Sequence, residues 1–278
     1  MGGENSTARG GEMLKWYGAS TLFWGSSFGD ICKRIKDVDL QGVELWAEQF
    51  WQESFVVADV LEKSRVHNLD ISLHAASWDL NISSLNQGIR EQSILEIERS
   101  IELAYALHVE NITIHPGRLT LNEEWMPWHM DCLQQSMDTL ESIAQRAGIT
   151  LSIELMEHVK KEFVTSPDLL NALVDHRSKY VTTTFDVAHI PLSQSPVELL
   201  QKLHRVDKIH ISNSTVEKYH VPLGEGEIDI MSVMPLIERL DVPVVIEGFD
   251  YLGKGNMLEK NVRFLHKNNL LRKLGMTV

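Results

Sequence analysis

Residues 180–200, YVTTTFDVAHIPLSQSPVELL, contain a complete strand-to-helix unit. The first eight residues are mostly β-branched or apolar, which predicts a buried strand ending near Asp186. Residues 195–198, SPVE, have the spacing of a capping box with proline in the first helical turn, so a helix is predicted to begin there. Asp186 and His189 lie between the two elements, where a simple turn requires neither a carboxylate nor an imidazole.

The same unit recurs along the chain. Strand-like runs alternate with segments of helical period, and no linker interrupts them. Besides 180–187, the predicted strands are WYGASTLFW (16–24), GVELWA (42–47), DISLHAA (70–76), NITIHPG (111–117), ITLSIEL (149–155), DKIHIS (207–212) and PVVIEGF (243–249). Eight such repeats predict parallel strands joined by crossover helices, and therefore an α/β fold, a single (β/α)8 TIM barrel.

The barrel is predicted to occupy residues 14–278, after a disordered leader at residues 1–13. A doubly wound open sheet is the alternative fold. Its first strand is usually followed by a glycine-rich phosphate-binding turn. Residues 24–27, WGSS, do not have that pattern, so the barrel is preferred.

Composition restricts the class of partner. The 278 residues carry a formal net charge of −13, which disfavours nucleic acid as a partner. No apolar run approaches the roughly 20 residues of a membrane helix, and the N-terminus has no signal-peptide core. The two cysteines, Cys32 and Cys132, form no disulfide framework. A cytoplasmic location is therefore expected.

Polar side chains are concentrated at the predicted strand ends, which meet on one face of such a barrel. They are Glu44, His74, His115, Glu154, Asp186, His189, His210 and Glu247, and His220 follows ten residues after His210. Several buried carboxylates in one place would repel one another unless a cation neutralised them. The pattern therefore predicts a metal site.

The identity of the metal depends on which residues are ligands. Glu154, Asp186, His210 and Glu247 form an oxygen-rich set that favours one Mn²⁺ or Mg²⁺ ion, with Co²⁺ and Zn²⁺ as alternatives. If the remaining histidines are also ligands, zinc and more than one ion are favoured. The sequence leaves this choice open.

These motifs resemble the xylose isomerase-like barrel superfamily, which includes ketose 3-epimerases, inosose isomerases and dehydratases, and endonuclease IV. The resemblance covers about residues 15–270. It rests on GVELW, LHAASWDLN, TIHPG, SIEL, FDVAHI, KIHIS, HVPLGEGEID and VVIEG. For the sugar-converting members, the resemblance implies one divalent ion, which is bound by Glu154, Asp186, His210 and Glu247. Mn²⁺ is the first candidate for this ion. The resemblance also implies a substrate contact at His189.

In endonuclease IV the resemblance implies three zinc ions, held also by His74, His115, His189 and His220 and by an aspartate two residues before the last histidine. That position is Lys218 here. An ammonium group has no lone pair to give a metal. The sugar epimerases are not fully matched either. This chain has Lys160 where they have a glutamate, and Val216 where they have an arginine.

The resulting hypothesis is a metal-dependent isomerase or epimerase of a sugar, sugar phosphate or cyclitol, acting through an enediolate, with lyase chemistry as a variant. By resemblance, the catalytic residues are Glu154, Glu247 and His189. His74, His115 and His220 are candidates for additional metal or substrate contacts. Residues predicted to bind substrate are Trp46, Trp78, Arg118 and Glu157.

The alternative is an endonuclease IV-like phosphodiesterase acting on abasic DNA. The predicted partner is otherwise a small carbohydrate, with no membrane. Residues 123–130, EEWMPWHM, are predicted to form a long loop that serves as a lid or as a homo-oligomer contact.

Overall fold

The computed structural model describes residues 14–271, so the predicted leader at 1–13 and the last seven residues lie outside the described range. Eight parallel strands form a closed barrel in the order β1 to β8, which confirms the predicted TIM barrel. The strands are β1 Trp16–Ala19, β2 Gly42–Trp46, β3 Asp70–His74, β4 Asn111–Ile114, β5 Thr150–Glu154, β6 Val181–Asp186, β7 Val206–Ile211 and β8 Val244–Ile246.

Helices surround the barrel. They are α1 Phe28–Asp37, α2 Ala47–Gln52, α3 Val57–His67, α4 Gln87–Ala106, α5 Met126–Ala147, α6 Pro167–Val174, α7 Pro196–Lys202, α8 Ile230–Leu240 and α9 Met257–Lys267. The predicted cap of α7 is present, because the Ser195 hydroxyl accepts a hydrogen bond from the Glu198 backbone N–H. No helix among residues 14–271 is both long and apolar enough to cross a membrane.

The predicted loop at residues 123–130 is wrong in its second half. Glu123–Trp125 form a 3₁₀ turn and α5 begins at Met126. Pro127 lies in the first turn of that helix, where no backbone N–H is needed for a helical hydrogen bond. The proline therefore marks the start of the helix rather than a loop.

The inside of the barrel is unusually polar. The hydroxyls of Thr113 on β4 and Thr184 on β6 lie 3.1 Å apart, and the Lys208 ammonium on β7 reaches Glu44 on β2. Neither contact joins neighbouring strands, so both cross the interior. Because side chains alternate along a strand, residues two positions further on face the same interior. This alternation places His115, Asp186 and His210 at the carboxyl-terminal end of the barrel.

Candidate metal centre

Four buried side chains converge at the carboxyl-terminal end of the barrel. Glu154 ends β5, Asp186 ends β6, His210 lies on β7, and Glu247 directly follows β8. Each offers one ligand atom, and these atoms lie within 4.8 Å of one another. The Nδ1 atom of His210 lies 3.0 Å from Glu154 Oε1 and 2.7 Å from Glu247 Oε2. We call these four residues the first group.

The first group fits a divalent cation. Glu154 Oε2, Asp186 Oδ2 and Glu247 Oε2 are buried and have no hydrogen-bond partner among the described residues. A buried carboxylate oxygen without a hydrogen-bond partner is costly, and three carboxylates so close together repel one another. A cation would satisfy all three, and three carboxylates with one imidazole suit Mn²⁺, Co²⁺ or Zn²⁺.

A second group consists of His74, His115 and Glu154. The His115 Nε2 atom lies 3.0 Å from Glu154 Oε2, and His74 Nε2 lies 3.6 Å from the same oxygen. The His74 Nδ1 atom is 2.8 Å from the Ala75 carbonyl oxygen, which can only accept a hydrogen bond. The proton is therefore on Nδ1, and in the neutral ring Nε2 keeps a free lone pair.

A third group consists of Asp186, His189 and His220. The Nε2 atoms of His189 and His220 are 3.2 Å apart, and His189 Nε2 is 3.4 Å from Asp186 Oδ2. The Glu157 carboxylate lies 3.6 Å from the same nitrogen. Two carboxylates, those of Asp186 and Glu157, therefore lie close to His189. Lys218, which occupies the position of the expected aspartate, is exposed.

Burial and opposite charges shift the pKa values of these groups. Burial raises the pKa of Glu247, but His210 more than offsets this and lowers it to about 2. For Asp186 burial outweighs the attraction of His189, and the pKa rises to about 6. Burial lowers the pKa of His189, whereas Asp186, Glu154 and Glu157 raise it to a net value of about 9. Without a cation, protons on the histidines therefore balance the carboxylates.

The sequence prediction missed one charged residue next to this centre. Lys208 is only 1% exposed, and its ammonium lies 2.7 Å from Glu44 Oε2. Glu44 was predicted at a strand end but without a role. The sequence signal was the spacing of Lys208 and His210, since residues two apart on a strand face the same side.

An exposed aromatic surface lies beside the second group. The Trp24 and Trp78 rings stack with centroids 4.8 Å apart, and Phe249 lies 5.7 Å from Trp24 and 6.2 Å from Trp78. We call these three residues the aromatic shelf. Trp78 is 47% exposed. Trp46 is buried between Trp78, at 6.1 Å, and His74, on which it stacks at 3.9 Å. A series of ring contacts therefore runs from the exposed shelf through Trp46 to His74 of the second group.

The other residues predicted to contact substrate are placed as follows. The Arg118 Nε atom donates to Glu162 Oε1 at 2.6 Å, while more than half of the arginine side chain stays exposed. Burial raises the pKa of Glu162 in spite of this arginine. A substrate contact at Arg118 thus stays a prediction, as does one at Glu157.

Fold and sequence comparisons identify the family. Residues 32–268 match the model of the family described as xylose isomerase-like TIM barrel, and this chain belongs to that family. Uncharacterized protein MJ1188 of Methanocaldococcus jannaschii is 30% identical over 258 residues, which cover 90% of each chain.

Two solved structures show the same fold at low identity. The crystal structure of a D-tagatose 3-epimerase-like protein has a TM-score of 0.78 at 21% identity, covering 92% of this chain and 100% of the other. A Methylomonas sp. D-allulose 3-epimerase in complex with D-allulose has a TM-score of 0.75 at 15% identity, with coverages of 94% and 98%.

Proposed function

We propose that this protein is a divalent-metal-dependent isomerase or epimerase of a sugar, sugar phosphate or cyclitol. The observation that carries the proposal is the first group, in which three buried carboxylates, each with an oxygen that lacks a hydrogen-bond partner, converge with His210 to within 4.8 Å. The exposed aromatic shelf and the similarity in fold to sugar epimerases support a carbohydrate substrate.

A bound divalent ion would polarise a substrate carbonyl and stabilise the negative charge that develops on the oxygens of an enediolate. Glu154 and Glu247 lie on different strands and approach the same His210 atom, at 3.0 and 2.7 Å. In the proposed mechanism one of these carboxylates removes the proton beside the carbonyl and the other returns a proton. Their placement on separate strands lets them reach different faces of that carbon.

His189 is the proposed group that binds a substrate oxygen. Its Nδ1 atom is 2.8 Å from the Leu155 carbonyl oxygen and donates to it. This hydrogen bond fixes the ring and directs Nε2 toward Asp186 and His220. With its raised pKa, His189 is protonated at neutral pH in the absence of a metal, and it can donate through Nε2 to a developing oxyanion.

The test is solvent exchange. A panel of ketoses and inososes incubated in D₂O with the protein and Mn²⁺ should gain deuterium at the carbon beside one carbonyl. Glu154→Gln and Glu247→Gln should each reduce exchange by about 10²–10⁴-fold. The matched control is His158→Gln, because His158 is exposed and, among residues 14–271, its side chain hydrogen-bonds the Thr165 carbonyl and no other group. Metal content is measured for every variant, because each glutamine also weakens the site.

Two other results would each contradict part of this proposal. A variant that keeps both metal and full exchange would show that its glutamate is a ligand rather than a base. Absence of exchange from every member of a broad panel would overturn the isomerase proposal.

A second candidate function is favoured by the presence of all three groups, since three sites resemble the arrangement expected for a phosphodiesterase acting on abasic DNA. It predicts cleavage of an abasic-site oligonucleotide with Zn²⁺ and retention on heparin at low salt. Lys218 and the net charge of −13 argue against it. Cleavage that is lost in His220→Ala would favour this function over the first.

A further inference from the structure

We infer that Glu44 and Lys208 form a positioning pair that orients His210 toward the proposed metal ion. The inference rests on the proposed metal centre and concerns residues outside its ligand set. Both side chains lie inside the barrel and are at most 2% exposed, and neither belongs to the first group.

The contact between Glu44 and His210 fixes the orientation of the imidazole. Glu44 Oε1 lies 2.8 Å from His210 Nε2, on the side of the ring opposite Nδ1. Both atoms are buried, and neither forms a regular hydrogen bond among residues 14–271, so this contact is a close polar approach. Nδ1 in turn forms a hydrogen bond with Glu154 Oε1 at 3.0 Å. A carboxylate can only accept, so each contact favours a proton on its own ring nitrogen. A metal ion at Nδ1 would displace the proton there, and the Glu44 carboxylate would then keep the remaining proton on Nε2.

Lys208 holds the other oxygen of the same carboxylate. Its ammonium lies 2.7 Å from Glu44 Oε2, which also accepts a hydrogen bond from Ser72 at 2.9 Å. Lys208 thus compensates the charge of Glu44 and leaves the three carboxylates of the first group for the ion. Because β2 and β7 are not neighbours in the barrel, the pair also ties the strand that carries His210 to the opposite wall.

Stability alone does not explain the pair. Replacing a buried ion pair by apolar residues of similar volume is often neutral or stabilising, because both charges must be removed from water. A role in orienting a ligand, in contrast, requires an acceptor for the Nε2 proton. Hydrogen bonds of this kind to metal-bound histidines typically change metal affinity by about 10–100-fold.

The experiment compares metal affinity with stability. The double variant Glu44→Leu/Lys208→Met removes the acceptor without leaving a lone buried charge. We expect it to bind Zn²⁺ and Co²⁺ about 10–100-fold more weakly by chelator competition, with a thermal midpoint at or above that of the unchanged protein. The visible spectrum of the Co²⁺ form should also change. Glu44→Gln, which keeps the shape, should weaken binding in the same direction.

The matched control is Asp207→Asn. Asp207 is a neighbouring interior carboxylate that bonds Asn111 and Ser152 but no residue of the first group. It should leave metal affinity and the Co²⁺ spectrum unchanged. Full affinity in the double variant, or an equal loss in Asp207→Asn, would overturn the inference.

A crystal structure of the metal-loaded protein gives a test that needs no variant. We expect Nδ1 of His210 on the metal and Nε2 within hydrogen-bond distance of Glu44, whereas Nε2 on the metal would overturn the inference. If the unchanged protein binds no divalent metal at all, the proposed function fails first. If the unchanged protein binds metal and the Glu44 and Lys208 variants bind it with the same affinity, the inference fails while the proposed function stands.

Discussion

The Oε2 atom of Glu154 lies 3.0 Å from Nε2 of His115, and the Oε1 atom of the same carboxylate faces His210. Glu154 therefore belongs to both the first and the second group. A carboxylate with one oxygen toward each group can hold one ion or bridge two. The number of ions that the protein binds therefore depends on how the two oxygens of Glu154 are used.

This relationship gives a prediction about metal content. We expect one tightly bound divalent ion per chain, in the first group. His115→Gln should keep that equivalent, because His115 is not among its ligands, while Glu154→Gln should lose most of it. Elemental analysis after dialysis at increasing Zn²⁺ measures both variants. Loss of the tight equivalent in His115→Gln would place the main ion in the second group instead.

The pKa values predict how metal binding depends on pH. His210 has a pKa well above its usual value, because the carboxylates of Glu44, Glu247 and Glu154 outweigh the effect of burial. His189 is raised to about 9. Both rings therefore bind protons more tightly than a free imidazole, and a metal ion must displace any proton on its ligand nitrogen. Calorimetry in buffers of different ionisation enthalpy should show proton release, and affinity should rise with pH.

The same shifts predict the stability of the metal-free protein. A histidine with a raised folded pKa stabilises the fold fully below its unfolded pKa of about 6.5. That contribution is lost as the pH rises through the folded value, about 9 for His189. The thermal midpoint of chelator-treated protein should therefore fall as the pH rises from about 6.5 to about 9. Protein loaded with Zn²⁺ serves as the control. An equal fall of the thermal midpoint with and without Zn²⁺ would contradict a role for these histidines in the pH dependence.

The aromatic shelf predicts a change in substrate affinity. Trp78→Ala removes a half-exposed ring that stacks on Trp24. With a substrate found by the exchange assay, KM should rise roughly 5–30-fold, equivalent to about 1–2 kcal/mol of lost ring contact, with little change in kcat. Tyr105→Ala is the control, because Tyr105 is an exposed aromatic residue at the end of α4, next to the start of β4. An unchanged KM in Trp78→Ala would exclude the shelf from substrate binding.

The sequence predicted the barrel because the alternation of strands and helices is a local pattern. The barrel then implied that residues at the strand ends lie together, as they do in the three groups, whereas their roles stay predictions. The Glu44–Lys208 pair was not predictable in the same way. Its members are 164 residues apart in the sequence and meet across the barrel. In addition, the pairing of β6 with β7 shifts register at Thr183/Thr184, which changes the side to which the following side chains point. No local pattern states which interior residues will oppose each other.

The start of α5 was mispredicted for a different reason. The proline in EEWMPWHM is the residue type that usually interrupts a helix, yet Pro127 lies in the first helical turn. Composition does not distinguish a proline that ends a helix from one that begins it. The glycine of TIHPG, in contrast, marks a position where the backbone geometry is decisive.

That glycine, Gly117, gives the last prediction. It has φ +88°, and a Cβ atom placed there would lie 2.6 Å from the Ser83 hydroxyl and 2.8 Å from the Ser83 backbone nitrogen. Asn81 holds the same turn by bonding both the N–H and the carbonyl of Arg118. The turn therefore has neither the backbone freedom nor the space for a side chain.

Gly148, after α5, is the matched control, since it has φ +71° but no described residue has an atom within 4 Å of an added Cβ atom. Gly148→Ala should lower the free energy of unfolding by about 1–2 kcal/mol, the cost of a left-handed conformation. Gly117→Ala should cost a further ~1–3 kcal/mol, because the methyl group must also displace packed atoms. Urea denaturation of the two variants measures the difference directly. Equal losses would show that the turn after His115 can relax around a side chain, and that crowding by Ser83 does not hold it in place.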